Sequence, residues 1–175
     1  MATSADVFIS YSREDKERVL DLAERLRAAG VSVWIDQGGI DGATLWGEEI
    51  VNALDQAKVL LLAVSGAAAR SHNVAKEVVL VSERKGHILP VDLEPTTIPA
   101  GLKYALAGIQ HVEYFQGDPD TNLKTILRSL ERAGVTIAPP RKPAAASGGD
   151  SAASAAGVQL APGAESQVEA GALAV

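Results

Sequence analysis

Apolar positions along this chain fall into short continuous runs that alternate with stripes at helical spacing. The run Asp6-Val7-Phe8-Ile9-Ser10-Tyr11-Ser12 predicts a first strand. Ser12-Arg13-Glu14-Asp15 then resembles a capping box, with Ser12 placed to accept an exposed amide and acids facing the positive helix end. Val19, Leu22, Ala23 and Leu26 carry the helical stripe that follows, and Ala29-Gly30 ends it. Val31 to Ile35, β-branched and aromatic, predicts a second strand. The loop Asp36 to Thr44 holds three glycines and two aspartates, which oppose either regular structure, so it is expected to be the mobile part of the domain.

Trp46, Ile50, Ala53, Leu54 and Ala57 form the next stripe, and Val59 to Val64 is an unbroken apolar run suited to a central strand covered on both faces. A third helix is predicted across Val74 to Glu83, ending at Lys85-Gly86. Ile88-Leu89-Pro90-Val91 reads as a fourth strand, near an edge or short because Pro90 lacks a ladder donor. Ile98 to Leu106 supports at best a short helix, Ile109 to Tyr114 a fifth strand, and Asn122 to Ala133 a last amphipathic helix. Strands alternating with helices imply a parallel sheet joined by crossover helices, an α/β domain expected over residues 5–134. Residues 135–175, dominated from Ala138 onward by Pro, Ala, Ser and Gly, are expected to be a disordered tail or a linker to a further domain.

Composition narrows the function classes. The chain has no cysteine, which removes disulfides and thiolate metal sites. It has no basic leader before an apolar stretch and no apolar run of the roughly 18 residues that span a bilayer. A soluble, cytoplasmic protein with no membrane partner is expected. A formal net charge of -6 argues against nucleic acid as a partner, because phosphate neutralisation needs clustered Lys and Arg.

In a doubly wound sheet the ligand sits at the carboxyl ends of the strands, here Ser10 to Arg13, Asp36 to Thr44, Ser65 to Glu77 and Asp92 to Pro99. The glycines at 38, 39 and 42 match neither the Walker nor the dinucleotide pattern. His72, His87 and His111 lie far apart without a carboxylate at ligand spacing, so no metal is expected. No Gly-x-Ser-x-Gly elbow anchors a hydrolase triad. Trp46 on its apolar stripe reads as core. Glu77, flanked by Val74, Ala75, Val78 and Val79, either pairs with a cation such as Arg70 or Lys76 or carries chemistry, and periodicity alone favours pairing.

Taken in order, these segments resemble the Toll/interleukin-1 receptor (TIR) domain, particularly its bacterial branch. The matching pieces are Asp6 to Ser12 with Glu14-Asp15, Gly30 to Asp36, Trp46 with Ile50 and Ala53-Leu54, Val64-Ser65, Lys76-Glu77-Val78, and Ile88 to Val91. The resemblance implies a flavodoxin-like, doubly wound five-stranded parallel sheet of order 2-1-3-4-5, and association with other TIR domains through the loop Asp36 to Leu45. It also identifies Glu77 with the catalytic glutamate of TIR domains that cleave NAD⁺, which is a substrate there rather than a cofactor. Tyr11, Ser12, Arg13 and Asp41 match nucleotide-contacting positions. Asn73 stands where many active relatives carry tryptophan, which leaves stacking on the nicotinamide to Tyr11, Trp46 or a neighbouring protomer. Two rivals follow: a non-catalytic TIR interaction module, and a receiver-like nucleotide binder. The receiver needs an acidic cluster, whereas Asp6 is the one acid at the first strand.

Overall fold

The computed structural model describes residues 5–35 and 45–138. The mobile-loop expectation falls on 36–44, outside the described residues, and so does the tail expected over 135–175 except for its first residues, 135–138. Strands β1 (Val7–Ser10), β2 (Val33–Ile35), β3 (Val59–Val64), β4 (His87–Asp92) and β5 (Val112–Glu113) form one parallel sheet of order β2-β1-β3-β4-β5. That is the order the family resemblance implied. Among the described residues five helices lie between the strands, α1 (Lys16–Ala28), α2 (Leu45–Gln56), α3 (Gly66–Arg70), α4 (His72–Glu83) and α5 (Ala100–Leu106), and α6 (Pro119–Arg132) follows β5.

Period-two alternation along the strands divides the core. Val7, Ile9, Leu61, Ala63 and Val91 face Val19, Leu22 and Leu26 of α1 and Ile126 and Leu130 of α6. Phe8, Leu60, Leu62 and Val64 face Ile50 and Leu54 of α2, Val74 and Val78 of α4, and Leu102 of α5. Phe8 also stacks on Trp34 across β1 and β2, ring centroids 4.7 Å apart, an arrangement worth about 0.5–1.5 kcal/mol beyond area burial. All six residues of β3 are buried, as expected for a central strand covered on both faces.

Several boundaries differ from the periodicity, each for a local reason. No side-chain cap forms at Ser12; its carbonyl accepts the Asp15 amide at 2.8 Å and closes a single 3-10 turn over Arg13–Asp15. The α-helix starts only at Lys16, because the Asp15 carboxylate is engaged by Arg18 and Ser65 instead of capping. Val31 completes the helix terminus through a 3.0 Å bond to the Leu26 carbonyl, which delays β2 to Val33. β5 shrinks to two residues, since Ile109 closes α5 and the Tyr114 and Phe115 amides both turn onto the Asp92 carbonyl. β4 runs for six residues next to the edge strand, and β5 pairs only with Val91 and Asp92, so the stretch holding Pro90 faces no fifth strand. Past Gly134 the chain stays on the domain: Val135 is buried, and the Ala138 amide bonds the carbonyl of Gly30, which adopts φ +92°.

Candidate functional site

The exit of β1 and the first turns of α4 meet at the carboxyl edge of the sheet. β1 ends at Ser10, and Tyr11, Ser12 and Arg13 leave the ladder into the 3-10 turn. Ser71 opens α4 by accepting the Val74 amide at 3.4 Å. Val74, Val78 and Val81 dock that helix on the sheet, and Asn73 and Glu77, one turn apart, stand together on another side. Asn73 is exposed and Glu77 half-buried.

Between these elements lies a cleft of about 410 Å³, lined among the described residues by Tyr11, Ser12, Arg13, Asn73 and Glu77, with Glu14 and Ser71 beside them. The volume falls in the range of roughly 300–1,000 Å³ typical of small-molecule sites. Five of the residues singled out from sequence are thus brought together. Asp41 lies outside the described residues, and Trp46 belongs to the first turn of α2. Ser10 was not singled out: buried on β1, it donates its hydroxyl to Glu77 Oε2 at 2.5 Å. The signal that could have found it is its place two residues after Phe8 on an otherwise apolar strand face.

The turn that carries Arg13 is anchored from beneath. The Asp15 carboxylate, 3% exposed, accepts from the Ser65 hydroxyl and the Arg18 guanidinium. Ser65, fully buried, also caps α3 by accepting the Ala68 amide at 2.9 Å. Arg18 reaches on to the Leu93 carbonyl and to Glu94, both at 3.2 Å, and Glu94 accepts the Gly66 amide at 2.8 Å. One polar network therefore joins the turn after β1, the start of α3 and the end of β4.

The Gly66 amide, and then Arg18, hold the Glu94 carboxyl below its ordinary value. Asp118, the cap of α6, is lowered by the Thr121 hydroxyl and then by its amide. A carboxylate with a lowered folded pKa contributes stability that is complete above its unfolded value and is lost as pH falls through the folded one. Melting temperature is expected to drop between about pH 4.5 and the lowered folded values. Glu94→Gln with Asp118→Asn should flatten that acid limb; an unchanged slope would show that other carboxylates govern it.

Among the described residues, no group of His, Asp and Glu could hold a metal ion, and no helix is long and apolar enough to cross a membrane. His111 instead pairs with Asp92 at 3.0 Å beside the β4–β5 ladder.

A doubly wound parallel sheet of this order, with a carboxylate-bearing cleft at its carboxyl edge, defines a flavodoxin-like architecture. Within that class, the family model for the TIR domain matches residues 7–135, and the chain belongs to this family. Solved structures agree on the fold. The TIR domain of the Toll-related receptor TRR-2 from Hydra magnipapillata aligns with TM-score 0.61 at 19% identity, covering 73% of this chain and 98% of that one. The TIR domains of the activated Roq1 resistosome, which recognises the pathogen effector XopQ, align with TM-score 0.55 at 18% identity over 73% and 99%. The RPS4 and RRS1 TIR domain heterodimer gives TM-score 0.53 at 20% identity over 73% and 96%. No curated protein matches the chain at a significant level.

Proposed function

We propose that this chain is a TIR-domain NAD⁺ glycohydrolase or cyclase, activated by self-association and serving bacterial signalling or defence. The observation that carries the reading is the half-buried Glu77 carboxylate, bonded by Ser10 and lining a cleft with Tyr11, Ser12, Arg13 and Asn73.

The chemistry suits a single carboxylate. In NAD⁺ the nicotinamide nitrogen is already cationic, so when the bond to ribose C1′ breaks, its electron pair neutralises the leaving group and no general acid is required. The ribose passes through an oxocarbenium-like state, as in glycoside hydrolysis. Glu77 faces the developing positive charge and holds the ribose hydroxyls. Arg13, exposed at the cleft, offers a planar donor fork to the pyrophosphate. Water adding at C1′ and losing a proton gives ADP-ribose; attack by the substrate's own adenine gives a cyclic product. Tyr11 or Trp46, or a neighbouring protomer, takes the stacking role that Asn73 does not fill.

Self-association draws support from the assemblies named for the structural neighbours, a resistosome and a TIR heterodimer. A second reading, a non-catalytic TIR interaction module, is favoured by one feature. A depression of about 720 Å³ among α3, α4 and α5 is walled by Ala75, Leu80, Pro99 and Leu102 and by the exposed Val79. Purified full chain incubated with NAD⁺, alone and tethered to an oligomerising scaffold, separates the two. Nicotinamide release that rises on tethering is expected; no release in either form leaves the interaction module.

A further inference from the structure

Every other residue of β1 and β3 is apolar, which makes Ser10 an exception that needs a reason. It is 1% exposed, it lies opposite Leu62 in the ladder, and alternation turns it to the face shared by Phe8, Leu62, Val74 and Val78. The ladder does not need it, since backbone groups make those bonds whatever the side chain. A hydroxyl enclosed by such neighbours is costly unless it is hydrogen-bonded. Its partner is the Glu77 carboxylate, 67 positions away, at Oε2.

We infer that Ser10 is a positioning residue, which sets the orientation of the Glu77 carboxylate from the fixed frame of the sheet; the inference rests on the reading of Glu77 as catalytic. Glu77 has three side-chain torsions and projects from a helix, so its carboxylate keeps one orientation only where its partners fix it. Ser10 has one torsion and sits on a strand paired on both sides, with β2 and with β3. The bond therefore transfers the rigidity of the strand to the carboxylate, and displacement of a catalytic group by about 1 Å is enough to cost on the order of 100-fold in rate. Ser10 contacts no substrate in this scheme. It acts through Glu77.

The test compares Ser10→Ala and Ser10→Thr with the wild-type full chain. Ser10→Ala should lower kcat for nicotinamide release about 10- to 100-fold, while KM for NAD⁺ moves less than about threefold because Arg13 and Tyr11 are untouched. Ser10→Thr keeps the hydroxyl and should restore most of the rate. Side-chain scalar couplings of Glu77, read by NMR without substrate, should report one rotamer in wild type and averaging in Ser10→Ala. Wild-type kcat in Ser10→Ala, with Glu77 still in one rotamer, would overturn the inference. If neither wild type nor variant releases nicotinamide, the NAD⁺ reading fails and the couplings decide alone. Averaging then upholds Ser10 as the residue that sets Glu77, and a single rotamer overturns it.

Discussion

Glu77→Gln is expected to lower nicotinamide release about 100- to 1,000-fold while the chain stays folded. Glutamine keeps the length and planar end of the side chain, and its amide oxygen still accepts the Ser10 hydroxyl, so the bond from β1 to α4 is kept. What disappears is the negative charge that, in the proposed mechanism, faces the oxocarbenium-like state. That charge matters more in the transition state than in the ground state, so the loss falls on kcat. Single-turnover nicotinamide release and a thermal melt, run on the same preparations, check both halves. A variant as active as wild type would show that another group carries the chemistry.

The second large effect is on stability. Ser65→Ala removes two bonds at once from a fully buried position: the donor to the enclosed Asp15 carboxylate and the acceptor that caps α3 at the Ala68 amide. Loss of a cap costs about 1 kcal/mol and loss of a bond to a charged group about 1.5–3, so a destabilisation of about 2–4 kcal/mol is expected. That corresponds to a fall in Tm of roughly 10 °C for a domain of this size. Urea unfolding of Ser65→Ala, Asp15→Ala and the double variant should give a coupling energy above about 1 kcal/mol. Additive effects would mean that the Asp15–Ser65 bond contributes little. Because Asp15 closes the turn that carries Arg13, the same substitution is expected to raise KM for NAD⁺.

How much of this was legible in the sequence depended on whether a feature is local. Val59 to Val64 and Val7 to Ile9 are apolar runs whose strand character is local, and the sheet order follows from the resemblance they carry. α3, with its sequence Gly-Ala-Ala-Ala-Arg, has no periodic signal: five residues are too few to show a helical period, and its cap, Ser65, reads as a loop serine. The amphipathic stripe from Asn122 starts later than α6 itself, although Asp118 followed by Pro119 is a recognisable helix-opening pair. Ser12 to Asp15 has the letters of a capping box, yet Asp15 bonds Ser65, 50 positions away, a competitor that no local pattern contains.

The candidate site divides the same way. Tyr11, Ser12, Arg13 and Glu77 could be named because they lie inside motifs, and Asn73 because it departs from one. Periodicity alone favoured an ion pair for Glu77 with Arg70 or Lys76. The hydrogen bond from Ser10 depends on β1 and α4 sharing one face of the sheet, which becomes visible only when the strands are stacked in order.

Cleavage of the nicotinamide–ribose bond at the cleft between β1 and α4 can be followed by product-resolved chromatography. Scaffold-tethered full chain would be incubated with NAD⁺ beside the Glu77→Gln variant. Wild type is expected to form one nicotinamide for each ADP-ribose or cyclic ADP-ribose, and the variant almost none. NAD⁺ recovered intact from the wild-type reaction, or equal cleavage by both proteins, would contradict it.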